Sequence, residues 1–302
     1  MDGKIVGLGE VLFDLLPGGA RLGGAPANFA WHSAQFGLDA LLVSAVGNDE
    51  LGRKALATFD KEGLRYIAPS VPFPTGTVDV GVDTKGVPTY TFAPNVAWDN
   101  IPLTPDMVAA ARQCRAVCFG SLAQRSDSSR HTIREFLGAV PGDCIKIFDI
   151  NLRQHFYTRE ILTDSLRLAD VLKINDDELA VLLQMYGIYA GEVQSACRQI
   201  ARQFGIAMLI LTLGTKGSYV FTATETSFEA TPRVEVADTV GAGDSFTATF
   251  TAARLAGLPI REAHKLAVSV SAYVCTQKGA TPKLPDSLTS AVRQRLSPRP
   301  SE

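Results

Sequence analysis

The sequence predicts a three-layer α/β sandwich with a mostly parallel sheet and a small inserted antiparallel sheet. Three observations indicate this fold class. Short apolar runs rich in β-branched residues alternate with helical patterns along most of the 302 residues. These runs are apolar throughout, as expected of strands that are covered on both faces. Strands joined through helices by right-handed crossovers form a parallel sheet between two helical layers.

The predicted elements follow one another in this alternating order. The strands are Lys4–Leu8, Leu41–Val46, Ala116–Phe119, Ile145–Ile150, Val171–Ile174, Met208–Leu213 and Ser218–Thr222. The helices between most of them are Pro26–Phe36, Glu50–Glu62, Pro105–Cys114, Ser129–Leu137, Asp176–Tyr186 and Glu192–Phe204. Because ligands of such sheets bind at the carboxyl ends of the strands, we expect the functional site at that edge.

One stretch, from Pro72 to Trp98, has no helical period. It contains two short alternating segments, Thr77–Val82 and Thr89–Phe92, joined by the turn signal Asp83–Thr84–Lys85–Gly86. This pattern predicts a small antiparallel sheet inserted beside the ligand crevice. Periodicity alone is compatible both with a lid over that crevice and with a plain edge hairpin.

Composition excludes several classes of protein. The chain is 46% apolar and 20% charged, as ordinary globular proteins are, and its net charge of 29 − 31 = −2 provides no electrostatic footprint for nucleic acid or a membrane surface. No apolar run reaches the roughly 18 residues of a membrane span, and the first residues do not form a signal-peptide pattern. Five scattered cysteines without a CxxC pair indicate a reducing compartment. We therefore expect a soluble cytoplasmic protein.

The strongest local signal lies at positions 238–246, with the sequence DTVGAGDSF. It follows a strand-like segment, Arg233–Val236, and begins a helical stretch, Ala242–Leu255. Small residues at a helix start leave backbone N–H groups exposed, which is a pattern that binds anions. A carboxylate in the first turn, at Asp244, beside such an anion hole suits phosphoryl transfer to a hydroxyl. Taken alone, the segment is more typical of an ordinary helix N-terminus, where an acidic side chain interacts favourably with the helix dipole.

A second cluster lies near the N-terminus. Gly23 and Gly24 allow the backbone to approach a ligand closely, and Pro26 suits the first turn of the helix that follows. Asn28 lies within that turn, where it can form hydrogen bonds with a polar ligand. After the first strand, Glu10 and Asp14 are placed to hold sugar hydroxyls. Taken alone, the glycine segment is more typical of a loop entering a helix, and Glu10 and Asp14 could equally be solvated loop acids.

The strand that ends near Ile150 is followed by alternating polar side chains. If the chain stays extended there, Asp149, Asn151 and Arg153 lie on one side of it. The guanidinium group of Arg153 could then form a bidentate pair with a phosphate or an acidic group.

Two further strands end in residues suited to nucleotide and metal binding. Asn175 and Glu178 have the spacing of a capping box, and the same groups could hold magnesium-bound water. The glycine turn Thr212–Gly217 exposes backbone that could contact the ribose and phosphates of a nucleotide. A plain β-turn is an equally good interpretation of that segment.

Taken together and in this order, the motifs resemble the ribokinase-like (PfkB-type) carbohydrate kinase family. The glycine pair with Asn28 resembles the N-terminal signature of the family, and Asp238–Asp244 resembles its C-terminal signature. Asn175 and Glu178 are similar to its NxxE motif. The resemblance covers roughly residues 4 to 285. It implies a ribokinase-like α/β/α sandwich that forms a single kinase domain over 1–302, with lid segments at about 11–22 and 72–98.

The resemblance also implies a role for each site residue. Asp244 would be the general base that takes the proton of the sugar hydroxyl. The anion hole would be formed around Gly241 by the backbone of Ala242, Gly243 and Asp244. The expected sugar-binding residues are Asp14, Gly24, Asn28, Phe92 and Arg153. The expected nucleotide-binding residues are Asn175, Thr212, Gly214, Gly217, Ala272 and Cys275.

Cofactors and partners follow from the same resemblance. It implies ATP and Mg²⁺, with Glu178 holding the metal through water. Asp238 resembles the acid of a monovalent-cation site, which leaves potassium dependence open. The expected partners are a small-molecule sugar and ATP, with no nucleic acid and no membrane. Because lid sheets in this family often pair between subunits, a homodimer through the lid sheet is also expected.

Within the family the sequence is most similar to fructokinases. The segments that carry this similarity are Gly9–Asp14, Leu22–Asn28, Ala97–Asp99 and Asp149–Arg153. They imply an ATP-dependent kinase that converts fructose to fructose 6-phosphate. One alternative is a sugar-acid kinase such as a 2-keto-3-deoxygluconate kinase. Another alternative is a catalytically silent sugar or nucleotide sensor. The presence of Asp244 and of the glycine-rich anion hole argues against it. The short linker Leu15–Leu22 is expected to shrink the sugar pocket or the first lid strand.

Overall fold

The structure is a computed structural model that describes residues 3–82 and 88–296. The predicted turn at 83–86 lies outside these residues. The strands, β1 to β15 in chain order, are Lys4–Leu8, Leu12–Leu16, Gly19–Gly23, Asp39–Val43, Val46–Gly47, Arg65–Ile67, Ser70–Val71, Gly76–Val82, Pro88–Phe92, Cys114–Phe119, Ile145–Asp149, Val171–Asn175, Met208–Thr212, Ser218–Thr222 and Thr226–Glu229. The helices, α1 to α10, are Ala25–Ala34, Glu50–Glu62, Pro105–Ala111, Asp127–Ala139, Arg159–Leu168, Asp176–Tyr186, Val193–Phe204, Ala242–Leu255, Ile260–Cys275 and Asp286–Leu296.

Within the described residues the main sheet has nine strands, in the order β15-β14-β13-β12-β11-β10-β1-β4-β6. The strands from β13 to β6 pair in parallel. β14 and β15 are antiparallel additions at one edge. The predicted mostly parallel sheet is therefore confirmed. Because the parallel strands point the same way, the carboxyl ends of β1, β10, β11 and β12 meet at one edge.

Helical layers cover both faces of this sheet. On one face, Leu209 and Leu211 of β13 belong to the same buried cluster as Phe136 of α4 and Ile200 of α7. On the other face, Ile210 packs in a second cluster that α8 and α9 contribute to. Alternate residues of one strand are thus buried on opposite sides, which explains why the strand sequences are apolar throughout. Among the described helices, none combines the length and hydropathy needed to cross a membrane.

Both predicted lid segments contribute to a separate four-stranded sheet, in the order β3-β2-β8-β9. We call it the lid sheet. The N-terminal segment forms the hairpin of β2 and β3, in which Asp14 lies opposite Arg21. The later segment forms the antiparallel pair of β8 and β9. The two hairpins join through parallel pairing of β2 with β8, so the inserted sheet is mixed rather than purely antiparallel. The residues predicted as a short linker, Leu15–Leu22, form much of the first hairpin.

Three sequence-based predictions are wrong in detail. The strand predicted over Leu41–Val46 ends at Val43, and the chain continues into the separate two-stranded pair of β5 and β7. The segment predicted as a strand at Arg233–Val236 is irregular and pairs with none of the strands that the structure describes. The chain beyond β11 is not extended, because Asn151 adopts a left-handed backbone with φ of 45°.

Candidate active site

The candidate active site lies where two helices begin at the carboxyl edge of the main sheet. α1 begins after Gly24, and α8 begins after Gly241. Both glycines have positive φ, 123° and 79° respectively. A side chain at either position would also meet backbone, because an added Cβ would lie 2.4 Å from the carbonyl oxygen of Glu10 or 2.5 Å from that of Ala280. Glycine is therefore required at both helix starts.

The side chains of these two helices meet at the predicted base. The amide nitrogen Nδ2 of Asn28 donates to Oδ2 of Asp244 over 2.8 Å, although the residues are 216 positions apart. Burial and the nearby charge of Asp149 raise the pKa of Asp244 to about 6. The structure thus brings together the two residues that the N-terminal and C-terminal motifs contributed. A carboxylate that is oriented by one hydrogen bond, and has a pKa near neutrality, is suited to accept a proton.

The predicted anion hole lies at the start of α8, where one of its three predicted amides already has an acceptor. The amide of Ala242 donates to the carbonyl of Thr239 over 3.3 Å, so it is engaged in the turn. The amides of Gly243 and Asp244 follow in the first turn, where N–H groups lack intrahelical acceptors. These two are the donors that remain for an anion, and the helix dipole adds to their attraction.

A buried ion pair that the sequence analysis did not identify as a site lies beneath this helix start. Nζ of Lys173 donates to Oδ1 of Asp149 over 3.0 Å, and the hydroxyl of Thr247 donates to Oδ2 over 2.9 Å. Lys173 is only 8% exposed, and a Cβ added to Gly243 would lie 3.0 Å from its Nζ. Burial disfavours the ammonium, but the carboxylates of Asp149 and Glu178 raise the pKa of Lys173. A permanent positive charge therefore lies directly under the candidate anion hole.

The predicted sugar-binding residues are contributed by the lid sheet, by the start of α1 and by the loop after β11. Burial raises the pKa of Asp14, while the positive charges of Arg21 and Arg153 oppose that shift. Arg153 is exposed, and its charge also acts on the carboxyls of Glu10 and Asp244. The charge of Arg153 thus acts on the carboxyl groups of Asp14, Glu10 and Asp244, and Arg153 does not line the nucleotide cleft.

The last predicted sugar residue, Phe92, belongs to β9 of the lid sheet. Its ring packs against that of Phe156, with centroids 5.5 Å apart at an angle of 72°. Phe156 follows the irregular loop that carries Arg153. In the same loop, Gln154 donates a hydrogen bond to the carbonyl of Tyr90 in β9. The lid sheet and the Arg153 loop are therefore held together by apolar and polar contacts.

The nucleotide-binding residues predicted from sequence line one large cleft of about 950 Å³ beside the anion hole. All six are present in its wall: Asn175, Thr212, Gly214, Gly217, Ala272 and Cys275. The irregular segment after β15 adds the exposed side chains of Val234 and Val236, which are 38% and 58% accessible. A cleft with an apolar wall and an anion site at one end is suited to a base joined to phosphates.

The predicted metal residue Glu178 has a structural role in this fold. Its Oε2 accepts from the amide of Asn175, whose Oδ1 accepts from the amide of Glu178, both over 2.8 Å. Its Oε1 accepts from the amide of Leu152 over 3.0 Å. Within residues 3–82 and 88–296, no three His, Cys, Asp or Glu side chains are grouped as metal ligands. Any metal role of Glu178 must therefore use the remaining lone pairs, through water.

Glu178→Gln tests this role. If Glu178 orients metal-bound water, activity falls about 10- to 100-fold and recovers partly at high Mg²⁺. If it only caps α6, stability falls by about 1 kcal/mol and the Mg²⁺ dependence is unchanged. We expect the first result, measured by Mg²⁺ titration of initial rates together with thermal melts. Thr104→Ala is the matched control, because Thr104 caps α3 through the amide of Met107 and lies outside the cleft.

The predicted cation residue Asp238 is already paired with a cation. Its Oδ2 accepts from Nη1 of Arg21 over 3.2 Å and from the amide of Gly279 over 3.1 Å. Its Oδ1 accepts from the amide of Val240. Arg21 belongs to β3, so this ion pair ties the lid sheet to the segment that leads into the anion hole.

Comparison with known proteins places this geometry in a family. The sequence profile of pfkB family carbohydrate kinases matches residues 18–287. A fructokinase of Klebsiella pneumoniae is 34% identical over 307 residues, which cover 94% of this chain and 97% of that protein. A fructokinase of Escherichia coli is 30% identical over 308 residues, with 94% and 97% covered.

Solved structures agree with the fold. A sugar kinase of Pyrococcus horikoshii superposes with a TM-score of 0.82 at 25% identity, covering 97% of this chain and 99% of that one. A Vibrio cholerae fructokinase variant, crystallised with fructose, ADP and a potassium ion, gives a TM-score of 0.76 at 24% identity, with 98% and 100% covered. The 2-dehydro-3-deoxygluconokinase of Thermotoga maritima gives a TM-score of 0.79 at 20% identity, with 97% and 99% covered.

Proposed function

The chain belongs to the pfkB family of carbohydrate kinases and is a sugar kinase, and we propose that its acceptor is fructose, which it converts to fructose 6-phosphate. The charge balance of the sugar pocket carries this proposal. The positive charge of Arg153 acts there on the carboxyls of Asp14 and Asp244. These carboxyl groups outnumber this cation, which disfavours an anionic substrate. Asp14 and Asn28 instead offer the hydrogen bonds that a neutral polyol requires.

In this proposal Asp244 removes the proton of the primary hydroxyl. Its Oδ2 is held by Asn28, which leaves Oδ1 to receive the proton. With a pKa of about 6, Asp244 is ionised at neutral pH and remains basic enough to accept it. The amides of Gly243 and Asp244 then stabilise the charge on the transferring phosphoryl group, and Lys173 beneath them adds a fixed positive charge.

ATP is the proposed phosphoryl donor, bound in the cleft beside the anion hole with its base against Ala272 and Cys275. The residues present fit a Mg²⁺ ion that arrives with the nucleotide, since Glu178 can hold a coordinating water and Mg²⁺ retains several waters in such sites. The metal would neutralise charge on the phosphates. This chain's own residues orient the hydroxyl, hold the phosphates and take the proton.

The lid sheet is proposed to cover the bound sugar. Its strand β3 is tied to Asp238 by Arg21, and its strand β9 is tied to the Arg153 loop by Gln154. Potassium binding at Asp238 stays a prediction, and in this arrangement it requires Arg21 to move away from the carboxylate. The homodimer through the lid sheet and the cytoplasmic location also remain predictions.

A sugar-acid kinase is the second candidate, because Arg153 is exposed in the pocket and could pair with a substrate carboxylate. A charge-assisted pair of this kind contributes about 1.5–3 kcal/mol. A silent sensor on the same fold is disfavoured, because such a protein has no need of a base oriented by Asn28.

Arg153→Ala separates the two substrates. With fructose, we expect a small change in KM and a shift of the acid limb of the pH profile to higher pH, because Arg153 lowers the pKa of Asp244. In a sugar-acid kinase, the substitution would instead raise KM about 10- to 150-fold, and only for the acid. Steady-state kinetics of both proteins on fructose and 2-keto-3-deoxygluconate decide between them. Arg159→Ala is the control. Arg159 is the first residue of α5, and its guanidinium group lies over the ring of Tyr186 in α6, outside the pocket.

A further inference from the structure

A buried carboxyl group lies behind the catalytic base and is not used by the mechanism above. Glu10 follows β1 and is only 2% exposed. Its Oε2 has no hydrogen-bond partner among the residues that the structure describes. An unpaired carboxyl oxygen at this depth is costly, so its position needs a physical reason.

Glu10 shares a small pocket with the carboxylates of the active site. The pocket is lined by Asp149, Asp244 and Thr247 as well as by Glu10 and Cys118. Its volume of about 10 Å³ is close to the smallest that accepts one water molecule. Three carboxyl groups from different parts of the chain therefore converge on a space that only a water or a proton can bridge.

We propose that Glu10 is a positioning residue that keeps its proton while Asp244 is ionised and donates it as a hydrogen bond into their shared pocket. The inference rests on the proposed role of Asp244 as the base. The donated hydrogen bond stabilises the carboxylate cluster without adding charge. During the reaction the sugar proton moves to Asp244, and Glu10 retains its own proton throughout.

Burial of Glu10 favours this protonated form. Burial raises the pKa of Glu10 to about 7, although backbone hydrogen bonds from Glu10 and Ala25 and the charge of Arg153 lower it, and the charge of Asp244 of α8 contributes to the increase. The other titratable groups facing the pocket are Asp149 at the end of β11 and the Cys118 thiol of β10, and Lys173 already pairs with Asp149.

Ionisation of Glu10 would then slow the reaction. A third negative charge in the pocket would repel the incoming phosphoryl group and would remove the hydrogen bond to the cluster. We therefore expect kcat to fall by about tenfold between pH 7 and pH 8.5, following one ionisation.

Glu10→Gln tests the proposal, because glutamine keeps a hydrogen-bond donor but cannot ionise. We expect the variant to retain most of its kcat at pH 6.5 and to lose the fall in rate above pH 7. Glu10→Ala, which has no donor, should lose activity at every pH. Cys118→Ala is the matched control, since it alters the same pocket and should keep the alkaline limb. If Glu10→Gln keeps that limb unchanged, the proposal is wrong.

A second measurement needs neither substrate nor turnover. The pKa of Glu10 is raised from 4.5 to about 7, so the unfolded chain ionises at lower pH than the folded protein. Wild type should therefore lose more stability than Glu10→Gln as pH rises from about 4.5 to about 7. We expect the Tm of the variant minus that of wild type to increase over this window. A difference independent of pH would refute the proposal, whereas a protein that phosphorylates no sugar would refute only the proposed function.

Discussion

Asp244→Asn should lower kcat by about 10²- to 10⁴-fold, the contribution typical of a positioned general base. Asparagine keeps the size of the side chain, and its Oδ1 can still accept from Asn28. It cannot take the proton of the sugar hydroxyl. The Kd of ATP should change little, because the anion hole uses backbone amides. Steady-state kinetics and calorimetric ATP titration measure the two effects separately.

The control for this variant is Asp106→Asn, since Asp106 is likewise in the first turn of a helix, α3, but lies away from the cleft. It should behave as wild type. Wild-type kcat/KM should fall as pH drops below about 6, because protonation of Asp244 removes the base. Near wild-type turnover by Asp244→Asn, or an unaltered acid limb, would show that another group takes the proton.

Asp149→Ala should reduce the free energy of unfolding by about 3–5 kcal/mol, because removing one partner of a buried ion pair leaves the other charge uncompensated. Lys173 is 8% exposed, and its ammonium pairs with Asp149 over 3.0 Å. Urea denaturation of the purified variant measures the loss. The double change Asp149→Leu with Lys173→Met should recover much of it, since apolar residues can replace such a pair.

An exposed ion pair provides the comparison. Glu225 and Arg261 are 3.3 Å apart, with side chains 36% and 74% accessible. Glu225→Gln should cost less than about 1 kcal/mol, as exposed pairs usually do. If Asp149→Ala lowers the free energy of unfolding by no more than this control does, Lys173 is not held as a buried charge. It then cannot stabilise an anion at the start of α8 in the way proposed.

The elements that the sequence predicted well are those governed by local rules. Strands buried on both faces are apolar throughout, and the start of α8 coincides with its predicted first residue, Ala242, because a left-handed glycine precedes it. The segment Arg233–Val236 misled the prediction. Its alternating pattern is typical of a strand, but strand formation also requires a neighbour, and no local pattern reports whether one exists.

The candidate site shows the same distinction. Sequence motifs identified Asn28 and Asp244 separately, and only the fold could show that they form a hydrogen bond across 216 positions. Lys173 was missed. A lysine inside the apolar run of β12 was nevertheless a usable signal, since a buried charge requires a partner. The left-handed backbone of Asn151 could not be predicted from the alternation of polar and apolar residues, since that pattern describes an extended chain.

The most direct test is to measure kcat/KM of the wild-type protein over a panel of sugars and sugar acids by coupled detection of ADP, with ³¹P NMR of the product. Fructose should give the highest kcat/KM, and the phosphate should appear on the primary hydroxyl at carbon 6. A protein that phosphorylates 2-keto-3-deoxygluconate and ignores fructose would contradict the proposed substrate.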